Sequence, residues 1–501
     1  MEDDQQEAIA CLAENAVERI DTHSAIIFLT RDRAYKLKRR IRFSYLDYST
    51  LALRQRACER EVELNRRTAP TLYLGAEPIR RGGNGPILDW VVVMRRFDQS
   101  LLFDRLAAEA KLTPALLRDL ADRIVEFHAA ALRHDDFGDL ASWHAILADN
   151  ERNLRLASPP LASREIDDLV AASKAALARH ADRLTRRRAA GRVRRCHGDL
   201  HLRNICLLEG RPTLFDCIEF SDRIAIIDVL YDIAFLFMDL TMRRMADANA
   251  LLFNRLLDRT GDSDGLPALP FFMSVRAAIR AHVAMAAARQ QPDQDAAQCQ
   301  TSEARGYFAL ARQLLRPSRP RLLAVGGLSG SGKSTLAAAL ASDFAPPPGA
   351  RVIRSDATRK RLLGLMPEAR LPGEAYAASV SGKIYQAMRE EARTALAAGY
   401  TVILDATFLD AGERSAVAAV ARSAKIPFTG LWLDAPATIL ARRVSERQND
   451  ASDADLAVLE TQLHRDAGDV EWHHLDAATD RPSCLAAARA LFLDPDQGWS
   501  R

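Results

Sequence analysis

Residues 327–335 read Gly-Leu-Ser-Gly-Ser-Gly-Lys-Ser-Thr, directly behind the apolar run Leu322-Leu-Ala-Val. Gly327 to Ser334 fit G-x-x-x-x-G-K-[ST] without a gap, and the following Thr335-Leu-Ala-Ala-Ala-Leu-Ala is a strong helix former. Strand, glycine-rich turn and helix are the context that the phosphate-binding motif requires. Gly327, Gly330 and Gly332, with Ser329 and Ser331 between them, let backbone N–H groups turn inward onto phosphates, and the new helix start at Thr335 adds its partial positive charge. Lys333 is expected at the β- and γ-phosphates of ATP, and Ser334 on Mg²⁺. Strands at 322–326, 351–354, 401–405 and 428–433 alternate with helical patterns, which predicts an α/β domain with a mainly parallel sheet over 322–501.

The residues around that sheet narrow the chemistry. Val402-Ile-Leu-Asp405 is an apolar strand ending in a carboxylate, suited to orienting Mg²⁺. Ser355-Asp356-Ala-Thr-Arg359 follows the second strand, at the sheet edge where open α/β sheets bind ligands. Asp356 is placed to take a proton from an acceptor hydroxyl, and Arg359 to pair with an anionic group. After the fourth strand, Arg442, Arg443 and Arg447 suit a lid that neutralises a transferring phosphoryl group. These residues resemble the small-molecule and polynucleotide kinases among AAA-type P-loop proteins, with the gluconate kinases and zeta-toxin-like kinases. That resemblance spans roughly 320–490 and implies phosphoryl transfer to a hydroxyl.

A second constellation precedes it. Residues 197–204 read His-Gly-Asp-Leu-His-Leu-Arg-Asn. Asp199 and Asn204 have the separation of the base and metal-binding Asn in a kinase catalytic loop, and Thr213-Leu-Phe-Asp216 supplies a second metal ligand. The segment resembles the aminoglycoside phosphotransferase, or choline-kinase-like, family. The resemblance implies Asp199 as base, Asn204 and Asp216 on Mg²⁺, and Asp228 and Asp232 as structural supports. It aligns Arg33-Ala34-Tyr35-Lys36 with the strand that carries the phosphate-binding lysine. Lys38 shares the strand face, so the assignment could slip by two residues. Glu61 is the expected partner, and Val91–Met94 the strand presenting backbone groups to adenine. No glycine-rich loop precedes the lysine, and the turn Thr30–Arg33 has no glycine. A pocket for cationic amines would need a cluster of acids, and the candidates Glu219 and Asp222 are too few to form one.

The expected architecture is therefore an α+β bilobal protein-kinase-like domain followed by an α/β P-loop domain. We place the first over 1–315 (N-lobe about 1–97, C-lobe about 98–315), a linker at 316–321, and the second over 322–501. The 501-residue length suits roughly two to four domains. The polar stretch Gln290–Ser302 reads as a loop, with a helix at about 303–315. Together the halves resemble bacterial fusions of an aminoglycoside phosphotransferase with a P-loop ATP-binding protein.

Composition sets the remaining bounds. Lys plus Arg number 69 against 66 Asp plus Glu, a formal charge of +3 that argues for no general nucleic-acid or membrane partner. A small-molecule acceptor is expected, and a polynucleotide acceptor stays open. Only eight of the cations are lysines, which singles out Lys36, Lys38 and Lys333. Seven cysteines without a C-x-x-C pair point to a reducing cytoplasm. The acidic N-terminus lacks the apolar stretch of a signal peptide, and Asp228, Asp232 and Asp239 interrupt the run from Ile224 to Leu240.

Overall fold

Alternating side chains make Ala25–Leu29 (β2) and Arg33–Lys38 (β3) a hairpin with two different faces. The computed structural model describes residues 3–43, 46–82, 84–158, 160–446 and 452–492. The chain forms two compact units, one of residues 1–146 and 181–236, the other of 147–180 and 237–501.

In the first unit, Glu18–Asp21 (β1), β2 and β3 join Tyr73–Arg80 (β6) and Ile87–Arg95 (β7) in an antiparallel sheet of order β1-β2-β3-β7-β6. Between them, Arg42–Phe43 (β4) and Leu46–Asp47 (β5) form a short pair. Helix Leu51–Asn65 starts at Thr50, whose hydroxyl accepts from Leu53 N–H. Its Cys58 and Val62 pack with Ala34, Val92 and Met94 on one sheet face. Ile9 and Leu12 of the helix Asp3–Ala13 pack against Ile26, Phe28 and Leu37 on the other. Ala34, Lys36 and Lys38 therefore all face helix Leu51–Asn65. Thr113 caps the helix Pro114–Ala130, and Leu117, Leu120 and Ile124 are buried, as the sequence leads one to expect. Two further pairs, Val193–Arg195 (β8) with Ile226–Asp228 (β11) and Ile205–Leu208 (β9) with Arg211–Leu214 (β10), bracket the polar loops at 196–204 and 215–225.

The second unit holds a five-stranded parallel sheet. Leu322–Gly327 (β12), Arg351–Arg354 (β13), Val402–Asp405 (β14), Phe428–Asp434 (β15) and His473–Asp476 (β16) run in the order β13-β14-β12-β15-β16. β16 escapes a hydrophobicity reading because only Leu475 of its four residues is buried. Leu323, Val325, Leu431 and Leu433 share a core with Leu336 and Leu340 of the helix behind the glycine-rich turn. The expected loop at 290–302 is instead mostly helix, Gln294–Leu314. Asp293 caps it by accepting from Ala296 N–H, and its polar first turns cost little in water. Ala304, Tyr307, Phe308, Ala311 and Leu314 then supply the buried stripe against helix Leu269–Gln290. Among the described residues one segment, Ser263–Gln290, is long and apolar enough to cross a membrane, and 67% of its most apolar window is buried.

Candidate functional sites

The site of the first unit gathers around Asp216. Lys36 Nζ lies 2.8 Å from Glu61 and 2.5 Å from Asp216. Lys38 Nζ lies 2.6 Å from the other oxygen of Glu61, 3.3 Å from the Tyr48 hydroxyl, and pairs with Glu219. Both lysines thus reach Glu61, but their second partners differ. Asp216 is exposed by 41% and Glu219 by only 5%, so Lys36 faces the open side and Lys38 lies beneath it. Burial alone would raise the Glu61 carboxyl; the two ammonium groups outweigh it and bring the pKa down to about 2. Burial depresses each lysine, but the facing carboxylates overcome it and hold both charged.

The loop at 197–204 hangs from one carboxylate. Asp232 accepts from His197 N–H at 3.2 Å and Gly198 N–H at 2.8 Å, and His128 Nε2 lies 2.9 Å away. Gly198 has φ +85°, and a Cβ there would crowd Ile218 at 3.2 Å. Burial lowers the pKa of His197, whose Nε2 lies 2.9 Å from Phe215 C=O. Asn204 donates its amide to Asp199 C=O at 2.9 Å and Asp199 Oδ2 at 3.0 Å, which orients the side-chain oxygen for another role. Asp216 takes φ +61° and donates its N–H to the Tyr73 hydroxyl at 3.0 Å. Asp228 binds Arg187 at 2.7 and 2.9 Å, deep in the interior. Met94 is buried on β7, opposite Ala34.

One detail departs from the sequence reading. The turn Thr30–Arg33 lies at the far end of β3, beside Ala34, whereas Ala25 pairs with Lys38. The turn at the lysine end is Thr22-His23-Ser24, between β1 and β2. Arg39 pins it through Thr22 C=O at 3.0 Å and Asp21, and His23 stacks on Phe43 at 4.6 Å. Polar, exposed β1 hid this turn from a hydrophobicity pattern. Glu219 and Asp222 are not open acids: Glu219 is bound by Lys38 and Tyr48, and Asp222 by Arg60 and Arg195.

In the second unit the phosphate-binding loop is built locally. Gly327, Gly330 and Gly332 take φ values of +131°, +83° and +93°. A Cβ on Gly327 would lie 2.6 Å from Leu433 C=O, and one on Gly330 2.6 Å from Leu440 C=O. Lys333 opens the helix Lys333–Ala341 and donates to Leu328 C=O at 2.7 Å. Ser331 is buried, Ser334 half-buried and Thr335 exposed. Ser329 N–H donates to Gln462 at 2.8 Å, a contact no motif foretold.

Asp405 ends β14, buried, 3.3 Å from Arg354. Asp356 sits in the first turn of helix Ser355–Leu362. Its enclosure raises the carboxyl pKa and Asp405 adds to this, while Arg354, Ser452 and Arg359 oppose it. Arg359 is buried: it donates to Ala375 C=O at 2.5 Å, reaches Ser381 at 3.3 Å and lies over the Tyr376 ring at 4.6 Å. Asp453 gathers Lys360 at 3.0 Å, Leu371 N–H at 3.1 Å and the Tyr376 hydroxyl at 2.7 Å. Arg442 and Arg443 lie on the helix Ala437–Ser445, the first exposed and the second half-buried; Arg447 lies outside the described residues.

Known proteins match both halves. The model of the phosphotransferase enzyme family matches residues 29–272, and that of an AAA domain matches 322–466. Two mycobacterial proteins, Rv2004c of Mycobacterium tuberculosis and Mb2027c of Mycobacterium bovis, are each 30% identical over 493 residues, covering 94% of this chain and 94% of their own. A choline kinase from Cryptosporidium parvum aligns over 62% of this chain and 96% of its own, at 10% identity and a TM-score of 0.39. A gluconokinase from Sinorhizobium meliloti aligns over 34% and 91%, at 23% identity and a TM-score of 0.26.

Proposed function

Since the chain belongs to the family of two-part proteins that includes Rv2004c and is a phosphotransferase of the kinase families on both halves, we propose that it is bifunctional, each part using Mg-ATP to phosphorylate a hydroxyl-bearing acceptor. The observation that carries this reading is that each unit has its own cation and its own carboxylates. Lys36 stands with Glu61 and Asp216 in one; in the other, Lys333 follows β12, Asp405 ends β14 and Asp356 follows β13, all at the carboxyl edge of neighbouring parallel strands.

In the first unit, Asp199 accepts the proton of the acceptor hydroxyl and Lys36 contacts the phosphates, oriented by Glu61. Asn204 and Asp216 would hold Mg²⁺: both offer hard oxygen atoms, as that ion prefers. In the second, the N–H groups of 327–335 and Lys333 hold the phosphates, and Ser334 and Asp405 hold Mg²⁺. The ion would supply charge neutralisation of the phosphates. Asp356 is the base; its enclosure raises the carboxyl pKa, which makes it the better proton acceptor. Arg443 and Arg447 neutralise the moving phosphoryl group, and Arg359 lines the acceptor segment. A small molecule is the favoured acceptor class, because the near-neutral chain offers no general attraction to a polynucleotide.

Turnover of radiolabelled ATP tests this. Lys333→Ala and Asp199→Ala should each remove part of it, and the double variant all of it. Full activity and full nucleotide binding in both single variants would refute the reading. The glycine-free turn Thr22–Ser24 favours a second reading, one working P-loop kinase with a regulatory or substrate-binding N-terminal part. Mg-ATP binding to the Lys333→Ala protein separates the two, since under the second reading none remains.

A further inference from the structure

The parallel sheet of the second unit ends at β13, and an edge strand leaves backbone groups in need of partners. One side chain of the helix Ala246–Thr260 meets that need. Asn254 accepts from Val352 N–H at 2.7 Å and donates to Ala350 C=O at 3.0 Å. These are the two bonds that a neighbouring strand would make. The same helix face carries Ala250, part of the sheet's core, four residues before Asn254, and Asp258, four residues after it. Asp258 binds Arg351 at 2.7 Å, and Arg351 is itself only 1% exposed, with Glu391 at 2.9 Å and Asn254 at 3.1 Å as further partners. Arg255 grips Glu368 through its two terminal nitrogens, at 2.6 and 3.1 Å. At the helix end, a Cβ on Gly261 would come within 2.8 Å of Arg361.

All these ties land on one stretch, 350–368, and that stretch carries Asp356 and Arg359. Val352 is four residues before Asp356, and Glu368 is nine residues after Arg359. We propose that Asn254 and Arg255 are positioning residues of the P-loop site. They hold β13 and its outgoing helix from behind, so that Asp356 keeps its place at the strand end. Helix Ala246–Thr260 is then a working part of the phosphotransfer domain, although it lies more than fifty residues before the phosphate-binding loop and inside the stretch matched by the phosphotransferase model. The proposal rests on the reading of Asp356 as base. The segment 316–321 is accordingly no place to cut the domain.

The test uses the full chain carrying Asp199→Ala, so that turnover reports the P-loop site. Asn254→Ala removes both strand-edge bonds, Asn254→Asp keeps the acceptor for Val352 N–H, and Arg255→Gln loosens only the Glu368 grip. Hydrogen exchange of 350–362 should quicken about tenfold in Asn254→Ala, with 327–341 and 473–476 unchanged. Turnover of Mg-ATP should fall about tenfold in kcat, with KM for ATP held within about twofold, and Asn254→Asp should recover part of the loss. Arg255→Gln should show the same pattern more weakly, and it serves if Asn254→Ala does not fold. Unchanged exchange at 350–362, or a loss shared equally by the phosphate-binding loop, overturns the proposal. So does full turnover in a loosened Asn254→Ala protein while Asp356→Asn is inactive. If Asp356→Asn is instead fully active, the base assignment fails, and the exchange result alone decides whether the helix holds the strand.

Discussion

The two candidate sites hold the cation proposed for phosphate in opposite ways. In the first unit, Lys36 and Lys38 are enclosed by carboxylates that arrive from far along the chain, 25 residues away at Glu61 and about 180 away at Asp216 and Glu219. In the second, Lys333 stands on a turn made of eight consecutive residues, and one of its bonds goes to Leu328 C=O, five residues back. The first site is therefore part of what holds its unit together. The second is a local backbone shape imposed by three glycines with positive φ. The difference predicts that damage to the first will be read in stability, and damage to the second in ligand binding.

Asp232 should show the largest effect. It is buried and joins the loop N–H groups of His197 and Gly198 to His128. Asp232→Ala strands those donors, at a cost of about 3–5 kcal/mol. Urea unfolding followed by a probe in the first unit should register most of that loss, together with loss of the turnover that depends on Asp199. A variant of near wild-type stability would break the contrast between the sites.

The paired lysines give the next step down. Lys38→Met leaves Glu219 buried and without its cation, a cost of roughly 2–4 kcal/mol. Lys36→Met should cost less, about 1–2 kcal/mol, because Asp216 is partly open to water that screens it. The functional order should be the reverse: Lys36→Met abolishes the Asp199-dependent turnover, and Lys38→Met retains some. Denaturation midpoints and single-turnover rates on the same two proteins check both orders. Equal behaviour would mean that the layering of the two lysines has no functional content.

Acid sharpens the comparison further. Glu61 titrates near 2 in the folded protein against an ordinary value of 4.5. A carboxyl depressed on folding contributes stability that is complete above the unfolded value and lost as pH falls through the folded one. Wild-type stability should therefore drop between about pH 4.5 and 2 by a component that Glu61→Gln lacks, visible as a shallower acid-unfolding curve in that variant. If the two curves run parallel, Glu61 is not held by the lysines.

How far each site could be read beforehand follows the same division. The phosphate-binding loop, the strands around it and the loop at 197–204 are contiguous patterns, so the residues and their spacing sufficed. Lys36 and Lys38 could not be ranked, because the choice depends on Asp216 and Glu219 arriving from the other lobe. The turn Thr22–Ser24 was hidden by a polar strand, β16 by its single buried residue, and the helix Gln294–Leu314 by a polar first half that only its Asp293 cap explains. Asn254 and Gln462 carry no motif at all. Their roles come from side-chain amides meeting backbone groups 98 and 133 residues away, a pairing invisible to any local window.

The smallest stability effect belongs to Lys333, and it closes the comparison from the other side. The side chain is half-buried on the first turn of a helix whose core contacts come from Leu336 and Leu340. Lys333→Ala should therefore change stability by no more than about 0.5 kcal/mol, since alanine is also the better helix former. The same substitution removes the ammonium proposed to contact the phosphates. Wild-type protein with Mg-ATP at about 100 times its dissociation constant should gain about 2.7 kcal/mol at the P-loop site. The variant should lose most of that gain. Thermal scans with and without nucleotide, run on the Lys36→Met background so that the first site adds no nucleotide shift, read both quantities at once. An unchanged nucleotide shift would take Lys333 off the phosphates. A large loss of stability without nucleotide would show that this site, too, is built from long-range charge pairing, and the contrast between the two regions would then disappear.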